Sequence, residues 1–269
     1  MNESVIAQEF LATGGCASCR VVDLHAHYGH YGGIYMPNHD PDQMLATLDR
    51  CGVDSIVSSG HTALADMVRG NAEIAEVTAP HPGRWYGYLV YNPNYPVEAK
   101  RELALYHQRR SFVGLKFHPS YHNYPIDGEA YQPALEFAAE NRLLVLSHTW
   151  GGSAYDSYMQ VAKVAERYPQ VDFLCGHSFY GQWEEGMTLA RRLPNVYLEL
   201  TAAYAVNGLI EQMVAKVGAH KIVFGCDLPW FDPHYAIGCI IFAHISDADR
   251  RAILRENAVR LLQPRVRAS

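Results

Sequence analysis

Eight short apolar runs, spaced along the whole chain, are the sequence feature that most limits the fold. They are rich in β-branched residues and almost continuously hydrophobic, which is typical of parallel strands buried on both faces. The runs are Arg20–Leu24, Val53–Ser58, Trp85–Tyr91, Phe112–Phe117, Leu143–Ser147, Val171–Cys175, Asn195–Leu200 and Lys221–Cys226. A chain with this pattern needs a layer of helices on the outside of its sheet.

Segments with helical periodicity separate these runs and complete a repeated strand–helix pattern. Helices are predicted at Pro41–Cys51, Ala63–Thr78, Val97–Arg109, Tyr131–Asn141, Tyr155–Tyr168, Trp183–Leu193, Val206–Val217 and Asp247–Leu262. Eight alternations without a linker predict an α/β fold, a single (β/α)8 TIM barrel with a C-terminal helix. The competing doubly wound sheet lacks its usual glycine-rich phosphate fingerprint here. We place the barrel at residues 20–264, an N-terminal extension at 1–19 and a tail at 265–269.

Composition supports one folded enzyme-sized domain and excludes several other classes of protein. The chain has 269 residues, of which 49% are hydrophobic and 19% charged, so disorder is excluded as its main state. Its formal charge of −6 argues against nucleic acid as a partner. No apolar run has the length of a membrane span, and no signal peptide is recognisable, so we expect a cytoplasmic protein. Its six cysteines, including the lone pair Cys16 and Cys19, are too few for a disulfide scaffold.

Polar side chains stand at the carboxyl ends of five predicted strands, the end where barrel enzymes carry their active sites. They are His25 and His27 after strand one, Lys116 and His118 at strand four, His148 at strand five, His177 at strand six and Asp227 at strand eight. Any one such histidine is more often an ordinary hydrogen-bonded residue. Imidazole and carboxylate together are ligands that divalent metal ions prefer, so the joint pattern predicts a catalytic metal site.

Six motifs in the same order resemble the amidohydrolase superfamily. They are VVDLHAH at 21–27, GLKFHP at 114–119, LVLSHT at 144–149, FLCGHS at 173–178, FGCDLP at 224–229 and ENAVRLL at 256–262. Together they cover residues 20–262, nearly the whole chain. The resemblance is to the amidohydrolase-related branch (amidohydrolase 2), which includes metal-dependent hydrolases and small decarboxylases. These motifs identify the superfamily, but they do not identify which reaction a member catalyses.

The resemblance implies that His25, His27, His148 and Asp227 hold one divalent ion, with His177 beside the metal-bound water. Zn²⁺ is the expected ion, and Mn²⁺ suits the same residues. Members with two ions carry a carboxylated lysine on strand four, and Lys116 leaves that arrangement open. A free Lys116 could instead hold a substrate carboxylate.

Two reactions fit such a site. Our first hypothesis is hydrolysis of a small cyclic or carboxylated molecule (an amide, lactone or ester), with Asp227 as general base and then acid and His177 stabilising charge. The alternative is non-oxidative decarboxylation of a small aromatic or enoic acid, in which Asp227 or His177 protonates the carbon. A metal-holding barrel without activity is a third class. The scarcity of cations at the strand ends argues against a dianionic substrate.

Aromatic residues just beyond the strand ends predict a cavity for a flat or cyclic small molecule. The expected substrate-binding residues are Lys116, His118, Trp150, Tyr180 and Trp230. The loop Tyr28–Pro41, which contains three glycines, is long enough to cover the site. The apolar segment at 237–245 and the C-terminal helix suggest a homo-oligomer.

Overall fold

The computed structural model describes residues 4–266 of the chain. Within that range the strands are β1 (Val21–Tyr28), β2 (Val53–Gly60), β3 (Trp85–Val90), β4 (Phe112–Phe117), β5 (Leu144–Trp150), β6 (Asp172–Tyr180), β7 (Val196–Glu199) and β8 (Ile222–Val223). The α-helices are α1 (Val5–Thr13), α2 (Pro41–Cys51), α3 (Thr62–Ala65), α4 (Met67–Thr78), α5 (Pro96–Leu105), α6 (Pro119–His122), α7 (Gln132–Asn141), α8 (Tyr158–Arg167), α9 (Trp183–Arg192), α10 (Leu209–Val217), α11 (Pro233–Ile241), α12 (Asp247–Arg251) and α13 (Asn257–Leu262).

The strands form one parallel sheet in the order β1 to β8. Backbone hydrogen bonds between β1 and the segment after β8 bring its two edges together. Leu24 N–H donates to the Phe224 carbonyl over 3.0 Å, and His27 N–H donates to the Leu228 carbonyl over 2.6 Å. The predicted (β/α)8 barrel is therefore confirmed, and the carboxyl ends of all eight strands meet at one rim.

The barrel interior is filled from its amino-terminal end, which leaves the opposite end for a site. One apolar cluster combines inward-facing strand residues with Ala258, Leu261 and Leu262 of α13. A second, larger cluster lies between the strands and the surrounding helices. Since α13 closes the interior from below, any ligand has to enter at the carboxyl-terminal rim.

Several element boundaries differ from those predicted. Strand β1 continues to Tyr28, so His25 and His27 lie inside the strand and not after it. Strand β8 has only two residues, although the backbone after Val223 continues beside β1 and accepts hydrogen bonds from it. The predicted helix 63–78 is two helices, separated at Asp66, which accepts the Arg69 N–H and caps the second one. A π-helical turn at Ala252–Glu256 interrupts the helix predicted at 247–262.

Helix α11 occupies much of the apolar segment from which we predicted an oligomer contact. Ile237, Ile240 and Ile241 are fully buried within this chain. Their hydrophobic surface is therefore already used in the core and does not face outward for a second copy. Self-association itself stays a prediction.

The N-terminal extension packs onto the barrel. Ile6 and Ala7 of α1 are buried, and the Ser4 hydroxyl donates to Asp247 Oδ1 over 2.5 Å. The predicted boundary at residue 19 stays a prediction, and residues 267–269 of the predicted tail lie outside the described residues. Among residues 4–266, no helix combines the length and the apolar character needed to cross a bilayer.

Candidate metal centre and its cavity

Three of the four predicted metal ligands come together at the carboxyl-terminal rim. Ligand atoms of His25, His27 and Asp227 all lie within 4.8 Å of one another. Asp227 Oδ1 is 3.1 Å from His27 Nε2 and 3.5 Å from His25 Nε2. A span of this size matches three ligands around one divalent ion.

Irregular pairing in β1 directs the two histidines into the cavity. Val22 and Leu24 point into the apolar interior, so strict alternation would turn the next odd-numbered residues outward. The register of β1 against β2 shifts between Asp23 and Ala26. His25 lies within that shift and His27 just beyond it, and both line the cavity. Bulges of this kind re-aim side chains next to active sites.

Each of the three predicted histidine ligands is held through its Nδ1 atom. His25 Nδ1 is 2.7 Å from Glu199 Oε2, and His148 Nδ1 is 2.9 Å from Asp156 Oδ2. His27 Nδ1 lies 3.2 Å from the Ser59 hydroxyl. A carboxylate can only accept, so Nδ1 of His25 and of His148 carries a proton, and Nε2 of each ring is the atom that would bind an ion.

The charge states in this group fit a cation. Burial alone would raise the pKa of Asp227, but His25 and His27 outweigh it and hold that pKa well below its ordinary value. Burial, helped by Lys116, holds the pKa of His25 well below its ordinary value. Asp227 Oδ1 is buried and has no well-aligned hydrogen-bond donor among residues 4–266. An ionised carboxylate oxygen beside two imidazole rings is the donor set a divalent ion would satisfy.

His148 and His177 line the same cavity but lie outside the three-residue group. Their rings are 4.9 Å apart, and the ring of His177 is 5.3 Å from that of His25. The role of His148 as a fourth ligand stays a prediction. His177 begins three consecutive residues with left-handed backbone, at φ of 65°, 50° and 58°. Burial lowers its pKa to about 3, and its buried Nδ1 has no hydrogen-bond partner among the described residues.

We call His25, His27 and Asp227 the metal group. Lys116 contacts His25 of this group and does not lie at the cavity mouth. Its side chain is buried, and its Nζ lies 2.8 Å from His25 Nε2. Burial lowers its pKa to about 8, against the opposing effect of Asp227 and Glu199. Because its amine contacts the lone pair that a metal ion would need, Lys116 and the ion compete for His25. Carboxylation of Lys116 stays a prediction.

The metal group forms the floor of a cavity of about 250 Å³ with aromatic walls. Trp150 and Trp230 line it, as predicted, and so does His118. The remaining lining residues outside the predicted set are Tyr31, His61, Leu64, Tyr121 and Phe231. Tyr180 is not a lining residue; it stacks on Trp150 with ring centroids 4.5 Å apart. Flat rings around a small cavity favour a flat ligand.

Parallel stacking fixes one wall of the cavity. His118 stacks on His148 at 4.2 Å, and His148 stacks on Trp150 at 5.8 Å. His118 Nδ1 accepts the backbone N–H of Tyr121 over 3.3 Å. Its proton is therefore on Nε2, which makes His118 a hydrogen-bond donor to a ligand.

His61 supports the metal group without belonging to it. Its Nδ1 is 2.7 Å from the Gly29 carbonyl, and its Nε2 accepts the indole N–H of Trp230 over 2.7 Å. Both ring nitrogens are used, so no lone pair remains for a metal ion. The ring stacks on that of His27 at 4.6 Å and helps to set its orientation.

Sequence reasoning missed Glu199 and Asp156. Glu199 is fully buried at the end of β7, and its Oε1 accepts both the N–H and the hydroxyl of Thr201. A carboxylate inside the predicted apolar run Asn195–Leu200 was a usable signal, because a buried charge needs a partner. Asp156 lies in a turn before α8 and carried no comparable signal.

The chain is thus a (β/α)8 barrel with a group of histidine and aspartate side chains at its carboxyl-terminal rim that could hold a metal ion. A family model described as Amidohydrolase matches residues 22–263, which is most of the chain. The protein belongs to this amidohydrolase family, as its motifs predicted. No curated protein matches the chain.

Solved structures share the fold at low sequence identity. An uncharacterised TIM-barrel protein from Bordetella bronchiseptica is 18% identical, with a TM-score of 0.77 over 92% of this chain and 99% of that one. A 5-carboxyvanillate decarboxylase from Sphingomonas paucimobilis is 14% identical, with a TM-score of 0.72 over 91% and 99%. A dihydroxybenzoic acid decarboxylase from Polaromonas sp. JS666, with bound manganese and 2-nitroresorcinol, is 18% identical, with a TM-score of 0.72 over 90% and 96%.

Proposed function

We propose that the protein is a metal-dependent, non-oxidative decarboxylase of a small aromatic acid. The observation that carries this proposal is the cavity of about 250 Å³, with the metal group at its floor and indole and phenol rings in its walls. Two of the solved structures that share its fold are decarboxylases of benzoic acid derivatives. This reverses the order of our two sequence-based hypotheses.

The chain's own residues divide the work. His25, His27 and Asp227 would hold the ion, which supplies charge that polarises the substrate carboxylate and a neighbouring oxygen. The reaction breaks the carbon–carboxylate bond, releases CO₂ and places a proton on the same carbon. That proton comes from solvent, because the pKa of His177, at about 3, leaves its imidazole unprotonated at neutral pH. His177 is our candidate to relay it to the carbon, because its Nδ1 is unpartnered among the described residues and its ring lies 5.3 Å from that of His25. His118 would donate from Nε2 to a ring substituent, and the two indoles would hold the ring flat.

The cavity limits the negative charge that a substrate can carry. Lys116 is the one Lys or Arg among the described lining residues, and an ion bound to His25 would release its amine from that histidine. Besides the ion, the cavity then offers one side-chain cation, and a third carboxylate would be buried without a partner, which is unfavourable. We therefore expect a substrate with no more than two carboxylates.

Hydrolysis of a small lactone, ester or amide is the second candidate. Its support is the ionised state of Asp227, which is the state that a general base needs. Zn²⁺ and Mn²⁺ both suit this residue set. The manganese in one relative makes Mn²⁺ the first ion to load.

The test is to measure CO₂ release and ester or lactone cleavage by the Mn²⁺- and Zn²⁺-loaded protein. We expect loss of CO₂ from hydroxylated benzoic acids, abolished by a chelator and restored by the ion. His177→Asn should lower kcat by at least about 100-fold while metal content is unchanged. His220→Asn, at an exposed histidine outside the cavity, is the matched control. Cleavage of lactones or esters without CO₂ release would support hydrolysis, and neither reaction in fully loaded protein would contradict both candidates.

A further inference from the structure

A second group of metal-ligating side chains lies outside the cavity, where α2 meets the start of α11. Ligand atoms of Cys51, Asp232 and His234 all lie within 4.8 Å of one another. Cys51 is the last residue of α2, while Asp232 caps α11 and His234 is its second residue. None of the three belongs to the cavity lining.

The chemistry of these three groups matches a Zn²⁺-type ion. Thiolate, imidazole and carboxylate are the three ligand types that zinc sites use. A thiolate and a carboxylate together carry two negative charges, which a divalent ion neutralises. His234 Nδ1 and Asp232 Oδ1 are 3.7 Å apart, a separation that two ligands of one ion can adopt.

The burial pattern is that of a site with one side open. Cys51 is 1% exposed, whereas the side chain of Asp232 is 53% exposed and that of His234 is 32% exposed. His234 Nε2 is itself buried and has no hydrogen-bond partner among residues 4–266. An ion held together with Asp232 would use Nδ1, the ring nitrogen that lies near the carboxylate, and leave the proton on Nε2.

Helix capping explains only part of this arrangement. Asp232 Oδ1 accepts the His234 backbone N–H over 2.8 Å, and its Oδ2 lies 3.4 Å from the Arg50 guanidinium. The cap uses one lone pair of Asp232 Oδ1 and leaves the other available to bind an ion. The His234 backbone N–H and the Arg50 side chain also contact the Cys51 sulfur. None of these contacts uses the His234 imidazole.

We propose that Cys51, Asp232 and His234 form a second metal site, independent of the cavity, which binds Zn²⁺ or a similar ion through three protein ligands and leaves one position to solvent. Such an ion joins the end of α2 to the start of α11. It would take no part in the proposed reaction, since none of the three residues lines the cavity that holds the first metal group.

Binding at this site should depend on pH. Burial raises the pKa of the Cys51 thiol to about 11, and Asp232 adds to that effect. The metal-free thiol is therefore protonated at neutral pH, and the ion must displace that proton to bind. One thiol proton is released for each ion taken up, so affinity increases as the pH is raised.

Cobalt substitution distinguishes the two metal sites. Co²⁺ bound to a thiolate gives a sulfur-to-metal charge-transfer absorption, which the His25, His27 and Asp227 set cannot produce. We expect this absorption in the Co²⁺-loaded wild-type protein and in His25→Ala. Cys51→Ser should abolish it and keep the ion in the cavity. Cys239→Ser, which removes a more exposed thiol, should keep it.

A further variant separates coordination from folding. Asp232→Asn keeps a side chain that caps helices well but removes the charge, so it should weaken Co²⁺ binding at least about 10-fold with the fold intact by circular dichroism. Absence of the thiolate absorption in wild-type protein at saturating Co²⁺ would overturn the proposal. An absorption that survives in Cys51→Ser would also overturn it, because another thiol would then be the ligand.

Discussion

At the scale of single residues, Glu199 lies outside the candidate ligand set but holds His25, one of its members, in position. Its Oε2 accepts from His25 Nδ1 and its Oε1 accepts two donors of Thr201. These three donors therefore all depend on the carboxylate oxygens of Glu199 as acceptors. We predict that Glu199→Gln lowers affinity for Mn²⁺ or Zn²⁺ by about 10- to 100-fold, because the amide turns an N–H group toward one of these donors. Competition with a chelating dye measures this without an activity assay.

Glu102→Gln is the matched control for this prediction. Glu102 is also a buried glutamate, but it pairs with Arg109 and Asn71 away from the cavity. Its substitution should lower stability and leave metal affinity unchanged. Equal losses of metal affinity in both variants would mean that general destabilisation, and not the contact with His25, explains the effect.

The sequence predicted which candidate ligands meet at the rim better than it predicted the residues that orient them. His25, His27 and Asp227 follow strand signals at the right end of a barrel, so their meeting follows from topology. Glu199 and Asp156 contact their histidines across 174 and 8 residues respectively, and only three-dimensional packing brings those pairs together. The spacing of residues likewise could not predict that the Lys116 amine contacts His25 and is not free in the cavity.

At the scale of elements, a glycine makes room where β1, β7 and the segment after β8 converge. A Cβ atom on Gly225 would lie 2.3 Å from Glu199 Oε1 and 2.5 Å from His25 Cβ. Both distances are shorter than any tolerable contact. We predict that Gly225→Ala displaces Glu199 from His25, lowers metal affinity at least about 10-fold and destabilises the protein by about 1–3 kcal/mol. Metal titration and urea unfolding measure the two effects.

Gly32→Ala is the control at this scale, since a Cβ atom there meets nothing within 4 Å. It should leave both quantities unchanged. If Gly225→Ala bound metal as tightly as the wild-type protein, the close approach of these elements would not be needed for the site.

Element existence was more predictable than element length. All eight strands follow from apolar runs, because burial on both faces leaves a continuous signal. The extension of β1 through two histidines could not be predicted from hydrophobicity, since polar residues there face a cavity. Helix α11 was predicted only as an apolar segment, although Asp232 and Pro233 form a recognisable start signal before it.

At the scale of the whole molecule, buried neutral histidines make stability depend on pH. Burial lowers the pKa of His122 to about 4, from an ordinary value of 6.5, despite its contact with the Leu64 carbonyl. Between these values the unfolded chain binds a proton that the folded chain does not. The free energy of unfolding should therefore fall as the pH is lowered from 6.5 toward 4, by up to about 1.4 kcal/mol per pH unit from this residue.

Urea unfolding at several pH values tests this contribution. His122→Gln keeps a donor for the Leu64 carbonyl but cannot be protonated in this range, so the slope of unfolding free energy against pH should become shallower. His220→Gln replaces an exposed histidine and should leave the slope unchanged. An identical slope in His122→Gln and wild-type protein would show that His122 does not contribute.

Two of the four tryptophans of the chain lie in the cavity wall, which gives the protein a built-in optical reporter. Trp150 is stacked between His148 and Tyr180, and Trp230 shares its N–H with His61. Indole emission responds to stacking partners and to nearby paramagnetic ions. Quenching of that emission can therefore follow the arrival of Mn²⁺, or of a flat ligand, in real time and without a label.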